Sequence, residues 1–334
     1  LFLVADGMGA HAVGELASKM ACENIPHNYA KARNVDAADA VVRAYHEVGS
    51  LIHGKATANR DFQGMGTTCS TLLLLPAGAL IAHVGDSRIY RVRRNRIEQL
   101  TFDHSLVWEL VRHKHLSPEQ ASKAIPRNVI TRSLGPDPVV EVDVEGPYPL
   151  EKGDVFLLCS DGLSGPVPDP DLGTFALHFH PEQACRYLLH LANLRGGPDN
   201  ITVVIVRVGS WVEPGQAPPG ESSAALPVAP AGKGFRLSQI FASFQRRDAR
   251  PAAVEEHVYQ SADCNIDEAL LTRISEEVRA VQTIAIEQSW ALDWSELARH
   301  RRAAEECRAK GQDRTALSHL GECIVILGQA GRLF

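Results

Sequence analysis

The chain has 334 residues, of which 45% are hydrophobic and 22% are charged, enough to bury a large core and more than one compact domain usually holds. The formal net charge of −6 leaves no basic excess, so we expect neither nucleic acid nor an anionic membrane surface as a partner. Seven scattered cysteines without a C-x-x-C pair, and no apolar run of about 20 residues, favour a reduced, cytoplasmic protein over a disulfide-linked or membrane-spanning one.

Short apolar runs bounded by turn residues predict strands in the first 209 residues. These runs are residues 1–5, 69–75, 79–84, 89–93, 96–100, 154–160 and 201–208. The breaks at Pro76-Ala77-Gly78 and Arg94-Asn95 are short enough for hairpin turns, which favours antiparallel pairing. Since Leu1 already lies within a strand-like run, we expect further strand sequence upstream of it.

The clearest helical pattern spans residues 36–56, where apolar residues recur at spacings of three and four behind Asp36, a suitable N-cap. A shorter helix is expected from Ser105 to about His113, and Ser117 followed by Pro118 predicts the start of another. We interpret residues 104–137 as an insertion between strands.

A change in composition divides the chain. Residues 210–233 are rich in Pro, Ala, Gly and Ser, which predicts a flexible linker after a first domain of residues 1–209. Residues 234–334 are expected to form a helical regulatory or interaction segment that folds apart from the first domain. Its predicted helices cover residues 267–290, 293–310 and 313–329.

Four aspartates lie at the ends of predicted strands. Asp6, Asp86 and Asp161 follow strand-like runs, and Asp199 occupies the turn before the last run. Such carboxylates can converge on one edge of a sheet, where their repulsion would be costly unless cations neutralised it. Oxygen ligands of this kind suit Mg²⁺ or Mn²⁺. For any single aspartate, a turn residue bonded to its own backbone is the alternative.

Five motifs follow one another along the first domain: Asp6-Gly7-Met8-Gly9-Ala10-His11, Gly64-Met65-Gly66-Thr67-Thr68, Gly85-Asp86-Ser87-Arg88, Ser160-Asp161-Gly162-Leu163 and Asp199-Asn200. In this order and spacing they resemble the bacterial branch of the PPM family, the type 2C metal-dependent serine/threonine protein phosphatases. The resemblance covers about residues 1–208 and implies an α+β fold, an αββα sandwich of two antiparallel sheets flanked by helices. It also implies that the family's first strands, with a phosphate-holding arginine, lie before Leu1, so that the chain is truncated at its N-terminus.

The resemblance assigns roles to residues that match the family's motifs. Asp6 would bridge two metal ions, Gly7 would lend its carbonyl oxygen, and Asp161 and Asp199 would complete the first metal site. Asp86 would help to hold a weaker third ion. Asp6, Asp161 and Asp199 are thus the expected catalytic residues, with two or three Mg²⁺ or Mn²⁺ ions activating a water for attack on phosphoserine or phosphothreonine. Phosphorylated proteins are the expected substrates, and residues 104–137 would act as a flap that influences which of them is accepted.

Several alternatives remain open from the sequence. Arg88 and Arg132 are either phosphate clamps or ordinary ion-paired side chains. The first domain could also be a catalytically idle phosphatase-like scaffold, with the helices of residues 234–334 as an element that binds a protein partner.

Overall fold

The computed structural model describes residues 1–9, 11–112, 129–209 and 258–331. Its strands are β1 (Phe2–Val4), β2 (Gly7–Met8), β3 (Gly66–Thr67), β4 (Cys69–Leu75), β5 (Gly78–Val84), β6 (Arg88–Arg93), β7 (Arg96–Gln99), β8 (Asp143–Tyr148), β9 (Val155–Cys159), β10 (Val203–Arg207) and β11 (Gln260–Asp263). Its α-helices are α1 (His11–Lys31), α2 (Ala37–Ala58), α3 (Leu106–Arg112), α4 (Asp161–Ser164), α5 (Asp169–His178), α6 (Pro181–Leu194), α7 (Glu268–Glu287), α8 (Trp294–Ala309) and α9 (Asp313–Ala330). The predicted linker and the helix expected to start at Ser117 lie outside the described residues.

The strands form two main antiparallel sheets, in the orders β1-β4-β5-β8 and β10-β9-β6-β7-β11. The strands predicted from the sequence are present, with ends that agree to within two residues. The β6–β7 hairpin turns at Arg94 and Asn95, whose φ angles of 52° and 59° fit a tight turn between twisted strands. The predicted αββα architecture is confirmed.

Apolar side chains on both faces of each sheet hold the layers together. Leu72 and Ile81 of the first sheet belong to one core cluster with Phe156 and Leu158 of the second, all fully buried. The other face of the first sheet is covered by α1 and α2. Asp36 caps α2 as predicted, because its side chain accepts a hydrogen bond of 2.9 Å from the Ala38 amide.

The C-terminal helices differ from the prediction of a segment that folds apart from the first domain. They belong to the same compact unit as residues 1–209. Strand β11 pairs with β7, from Gln260 opposite Gln99 to Asp263 opposite Arg96, and so extends the second sheet. Helix α9 packs on α6, and the buried side chains of Leu271 and Leu317 join the core between the second sheet and its helices.

The C-terminal helices pack on the first domain because α6 has an apolar surface that would otherwise be exposed to water. Tyr187, Leu188 and Leu191 of α6 are fully buried in that shared core. The two helices approach closely because α9 has glycine at the contact: a Cβ on Gly321 would lie 2.6 Å from the Tyr187 ring. Within the described ranges, no helix combines the length and apolar character needed to cross a bilayer.

Candidate metal centre

The sheet topology brings the four predicted aspartates to one end of the sandwich. Asp6 follows β1 and Asp86 follows β5; these strands run parallel because each pairs antiparallel with β4. Asp161 follows β9, and Asp199 precedes β10, its antiparallel neighbour. All four line one cavity of about 1220 Å³, together with Gly7. The convergence expected from the strand ends is therefore present.

The backbone of Asp6 is fixed by the second sequence motif. Its amide donates to the Thr68 hydroxyl at 2.9 Å, and its carbonyl accepts from the Thr67 hydroxyl and the Thr68 amide, both at 2.9 Å. Gly7 lies against helix α1, where a Cβ would be 2.0 Å from the Gly14 carbonyl oxygen. Any side chain at position 7 would displace this contact, which explains why glycine follows the aspartate.

Asp161 and Asp199 are brought together by a second close approach. A Cβ on Gly162 would lie 2.3 Å from the carbonyl oxygen of Asn200, so only glycine lets the Asp199 turn come this near to the end of β9. The Ser160 hydroxyl ties the two segments by donating to the Asn200 carbonyl at 3.2 Å and accepting from the Thr202 amide at 3.0 Å.

Burial and mutual repulsion make these carboxyl groups hard to ionise together. The pKa of Asp6 is raised to about 7 by burial and by the nearby Asp161 and Asp199 carboxylates. The pKa of Asp86 is also raised to about 7, by burial and by Asp161, Asp103 and Asp6. Burial and Asp199 raise the pKa of Asp161. A bound cation would relieve this repulsion.

The chemistry of the donor set fits a hard divalent cation. The cavity supplies carboxylates and backbone carbonyls, the ligands that Mg²⁺ and Mn²⁺ prefer, and the described side chains of its lining include no Cys or His. The part of the chain that the structure describes has no group of three His, Cys, Asp or Glu side chains in metal-ligand geometry. The assignment of Asp6, Gly7, Asp86, Asp161 and Asp199 as ligands therefore rests on their convergence and chemistry and stays a prediction.

A second cavity of about 500 Å³ adjoins the first and shares Asp86, Asp161 and Asp199 with it. Its apolar wall is formed by side chains of α3: Val107, Trp108 and Val111. The helix expected from Ser105 to about His113 is present as α3, but the cavity beside it could not be predicted, because helical periodicity does not show which other elements the helix lies against. An apolar wall beside an acidic centre can receive a substrate side chain next to the reacting group.

The two arginines considered as phosphate clamps both have carboxylate partners. Arg88 forms an ion pair with Asp103, with Nη2 at 2.6 Å from Oδ2, and also lines the second cavity. Arg132 forms an ion pair with Asp143 at 2.9 Å. Of the two alternatives left open by the sequence, the structure shows ion-paired side chains for both arginines.

Comparison with known proteins places these features in a family. The sequence model described as protein phosphatase 2C matches residues 1–189. The serine/threonine phosphatase stp of Listeria monocytogenes is 35% identical over 211 residues, which cover 62% of this chain and 83% of that protein. Protein phosphatase PhpP of Streptococcus pneumoniae is 35% identical over 210 residues, which cover 62% of this chain and 85% of that protein.

Solved structures agree. The serine/threonine phosphatase of S. agalactiae has a TM-score of 0.58 and 35% identity, covering 62% of this chain and 86% of that one. The PstP/Ppp phosphatase of Mycobacterium tuberculosis has a TM-score of 0.58 and 33% identity, and the match covers 62% of this chain and 88% of that one. A PstP catalytic domain in complex with two manganese ions has a TM-score of 0.53 and 32% identity, and the match covers 61% of this chain and 85% of that one. With the motifs, the fold and the clustered aspartates, these matches show that the chain belongs to the protein phosphatase 2C family.

Proposed function

We propose that this protein removes phosphate from phosphoserine and phosphothreonine in other proteins, using divalent metal ions held by the strand-end aspartates. One observation carries the proposal: Asp6, Asp86, Asp161 and Asp199 line a single cavity in a chain of this family. Relatives named as serine/threonine phosphatases, and a neighbour with two manganese ions, support it.

Each residue has a distinct part in holding the ions. Asp6, whose pKa is raised by the nearby Asp161 and Asp199 carboxylates, would bridge two ions, and the Gly7 carbonyl would assist it. Asp161 and Asp199 would complete the first site, and Asp86 would hold a weaker third ion. When bound, Mg²⁺ or Mn²⁺ supplies Lewis-acid activation of water and neutralises charge developing on the phosphoryl group.

The remaining residues position these ligands and the substrate. Thr67 and Thr68 fix the backbone of Asp6, and Ser160 fixes the turn behind Asp199. The apolar wall of α3, which includes Trp108, would receive a side chain that flanks the phosphorylated residue. Binding of a protein partner by the C-terminal helices, and a cytoplasmic location, stay predictions.

The proposal is tested with the purified chain and a phosphothreonine peptide. Hydrolysis should require Mn²⁺ or Mg²⁺ and stop on chelation. Asp6→Asn should lower turnover by more than about 100-fold, since even outer-shell partners of metal ligands are worth about 10- to 100-fold. Asp39→Asn, at an exposed position on α2, makes the same change in charge away from the cavity and should have no effect. Hydrolysis that survives chelation, or an Asp6→Asn variant with normal metal binding, would refute the assignment.

A further inference from the structure

A network of four charged side chains joins the C-terminal helices to the first domain. From α7, Arg273 makes two hydrogen bonds of 2.7 Å to the Asp171 carboxylate of α5. Glu277, one turn further along α7, receives bonds of 3.0 Å from Nη2 of Arg195 and 3.2 Å from its Nε. Arg195 completes the network by donating to Asp171 at 3.0 Å.

The centre of the network, Asp171 and Arg195, is buried, Glu277 and Arg273 are 33% and 43% exposed, and the four charges balance. The Asp171 side chain is 1% exposed and that of Arg195 is 15% exposed, so each needs its partners to offset the loss of hydration. Arg195 also donates from Nη1 to the Pro166 carbonyl at 3.3 Å. Two segments thus hold one guanidinium: residues 166–171 of the first domain, and α7 from the C-terminal part of the chain.

Arg195 ends α6 and begins the turn that carries Asp199. Gly196 and Gly197 follow it with φ angles of 113° and 47°, and their amides donate to the Asn193 and Ala192 carbonyls, both at 3.1 Å, so the start of the turn is tied to the end of α6. Asp199 itself is exposed. The turn is fixed beyond Asp199 by Ser160 and before it by the end of α6, which Arg195 ties to Glu277. Within the turn, Oδ1 of Asp199 accepts from the Asn200 amide at 2.7 Å, so the carboxylate follows the position of the turn.

We propose that Glu277 is a positioning residue for the metal centre: by holding Arg195 it fixes the Asp199 turn and strengthens the binding of divalent cations. The inference rests on the proposed function, in which Asp199 is a metal ligand. The family match ends at residue 189, and α7 begins at Glu268. The C-terminal helices therefore act on the active site through this contact, without supplying a ligand.

The test measures Mn²⁺ dissociation constants of the full chain by electron paramagnetic resonance, without any substrate. Glu277→Gln removes the charge that orients Arg195 and should weaken Mn²⁺ binding about tenfold, the low end of the range for outer-shell partners. Glu276→Gln, at the exposed neighbouring position on α7, is the matched control and should bind as the wild type does. Unchanged Mn²⁺ affinity in Glu277→Gln would overturn the inference.

Two further variants separate positioning from simple docking of the helix. Arg273→Gln weakens the same helix contact but leaves Glu277 on Arg195, so it should lower the free energy of unfolding with little change in Mn²⁺ affinity. An equal loss of affinity in Arg273→Gln would show that docking alone matters. Arg195→Lys keeps the charge but loses the forked donor geometry, and should weaken Mn²⁺ binding as well. Arg195→Lys also tests the inference if Glu277→Gln folds poorly. Unchanged Mn²⁺ affinity in Arg195→Lys would overturn the inference.

A double variant that combines Glu277→Gln with Arg195→Lys tests whether Glu277 acts through Arg195. If Glu277 acts through Arg195, adding Glu277→Gln to Arg195→Lys should cause no further loss of Mn²⁺ affinity, whereas an additive loss would contradict that route. Asp199→Asn separates this inference from the proposed function. If Asp199→Asn binds Mn²⁺ as the wild type does, the proposed metal site is wrong. If Asp199→Asn weakens binding and Glu277→Gln does not, only the positioning role fails.

Discussion

The Arg88 guanidinium makes a two-point ion pair with the Asp103 carboxylate, with distances of 2.9 Å from Nε to Oδ1 and 2.6 Å from Nη2 to Oδ2. Gln99 also donates to Oδ1 of Asp103 at 2.9 Å. Both charged side chains are mostly buried, at 16% and 6% exposure. The pair joins β6 to the segment that leads into α3. Both residues line the second cavity, to which α3 contributes the apolar wall.

Asp103→Asn should therefore be strongly destabilising. The substitution leaves a mostly buried guanidinium with only the more distant Asp169 carboxylate, 3.9 Å from Nη1, as counter-charge. The cost should be about 3 kcal/mol, the lower end of the range for broken buried pairs, because Asp169 remains and asparagine still accepts a hydrogen bond. Urea unfolding of the metal-free protein measures this loss. Glu47→Gln, which breaks the exposed Arg43–Glu47 pair on α2, is the control and should cost no more than about 0.5 kcal/mol. Similar losses in both variants would contradict the importance of the buried pair.

The raised pKa values of Asp6 and Asp86 predict a pH dependence of stability. Both carboxyls have a pKa of about 7 in the folded protein, against 3.8 for an ordinary solvent-exposed aspartate, so between these values the folded state binds more protons than the unfolded state. The stability that these groups contribute is present below about pH 4 and is lost as the pH rises through about 7. The metal-free protein should therefore lose stability as the pH rises from about 4 to about 7. Mn²⁺ should restore more of this stability at about pH 8 than at about pH 5.

Asp6→Asn is the control for this pH dependence. In the presence of a chelator, the variant should gain stability relative to the wild type as the pH rises from about 5 to about 8, because the neutral amide removes one member of the repelling cluster. Denaturant unfolding at several pH values measures the difference. A difference that stays constant with pH would show that the Asp6 carboxyl is already ionised in the folded, metal-free protein.

Trp108 should contribute to the recognition of protein substrates rather than to the reaction itself. Trp108→Ala removes much of the apolar wall and should raise KM for a phosphopeptide with a large apolar flanking residue about tenfold, equivalent to roughly 1.4 kcal/mol of lost apolar contact. Turnover of a small aryl phosphate should change little. Leu106→Ala, at an exposed position on the same helix outside the cavity lining, is the control. Equal effects on the peptide and the small ester would contradict a role in substrate recognition.

The strands and the acidic centre could be predicted because their signals are local. Strands β4 and β5 are rich in apolar residues, and β6 and β7 place apolar residues between polar ones on either side of a short turn. The strand-end aspartates carry the family's motifs. Strands β8 and β11 lack this signal: Asp143–Tyr148 contains two acidic residues and a Gly-Pro step, and Gln260–Asp263 is mostly polar. Both lie at sheet edges, where pairing to a neighbouring strand decides the structure more than composition does.

The docking of the C-terminal helices could not be predicted, for a different reason. A continuous apolar face on a helix shows that it needs a partner and does not say which one. The contact depends on complementary shape: Gly321 lies under the Tyr187 ring, and a Cβ on Gly328 would lie 2.6 Å from Nδ1 of His190. Glycine within a helical pattern indicates only a weaker helix when it is read from sequence alone. The ion-pair network of Asp171, Arg195, Arg273 and Glu277 was missed because its members lie far apart in the chain.

The same substitution at two helical glycines tests this docking. Gly321→Ala would place a methyl group 2.6 Å from the Tyr187 ring, so α9 must shift from α6, and the free energy of unfolding should fall by about 1–3 kcal/mol. Gly54→Ala on α2 meets nothing within 4 Å and should instead stabilise the protein by up to about 1 kcal/mol, because alanine favours helix. Thermal and denaturant unfolding of both variants measure the two effects, and circular dichroism checks that helix content is kept. If Gly321→Ala stabilises the protein as Gly54→Ala does, α9 is free of α6 in solution, and the C-terminal helices fold apart from the first domain as the linker composition suggested.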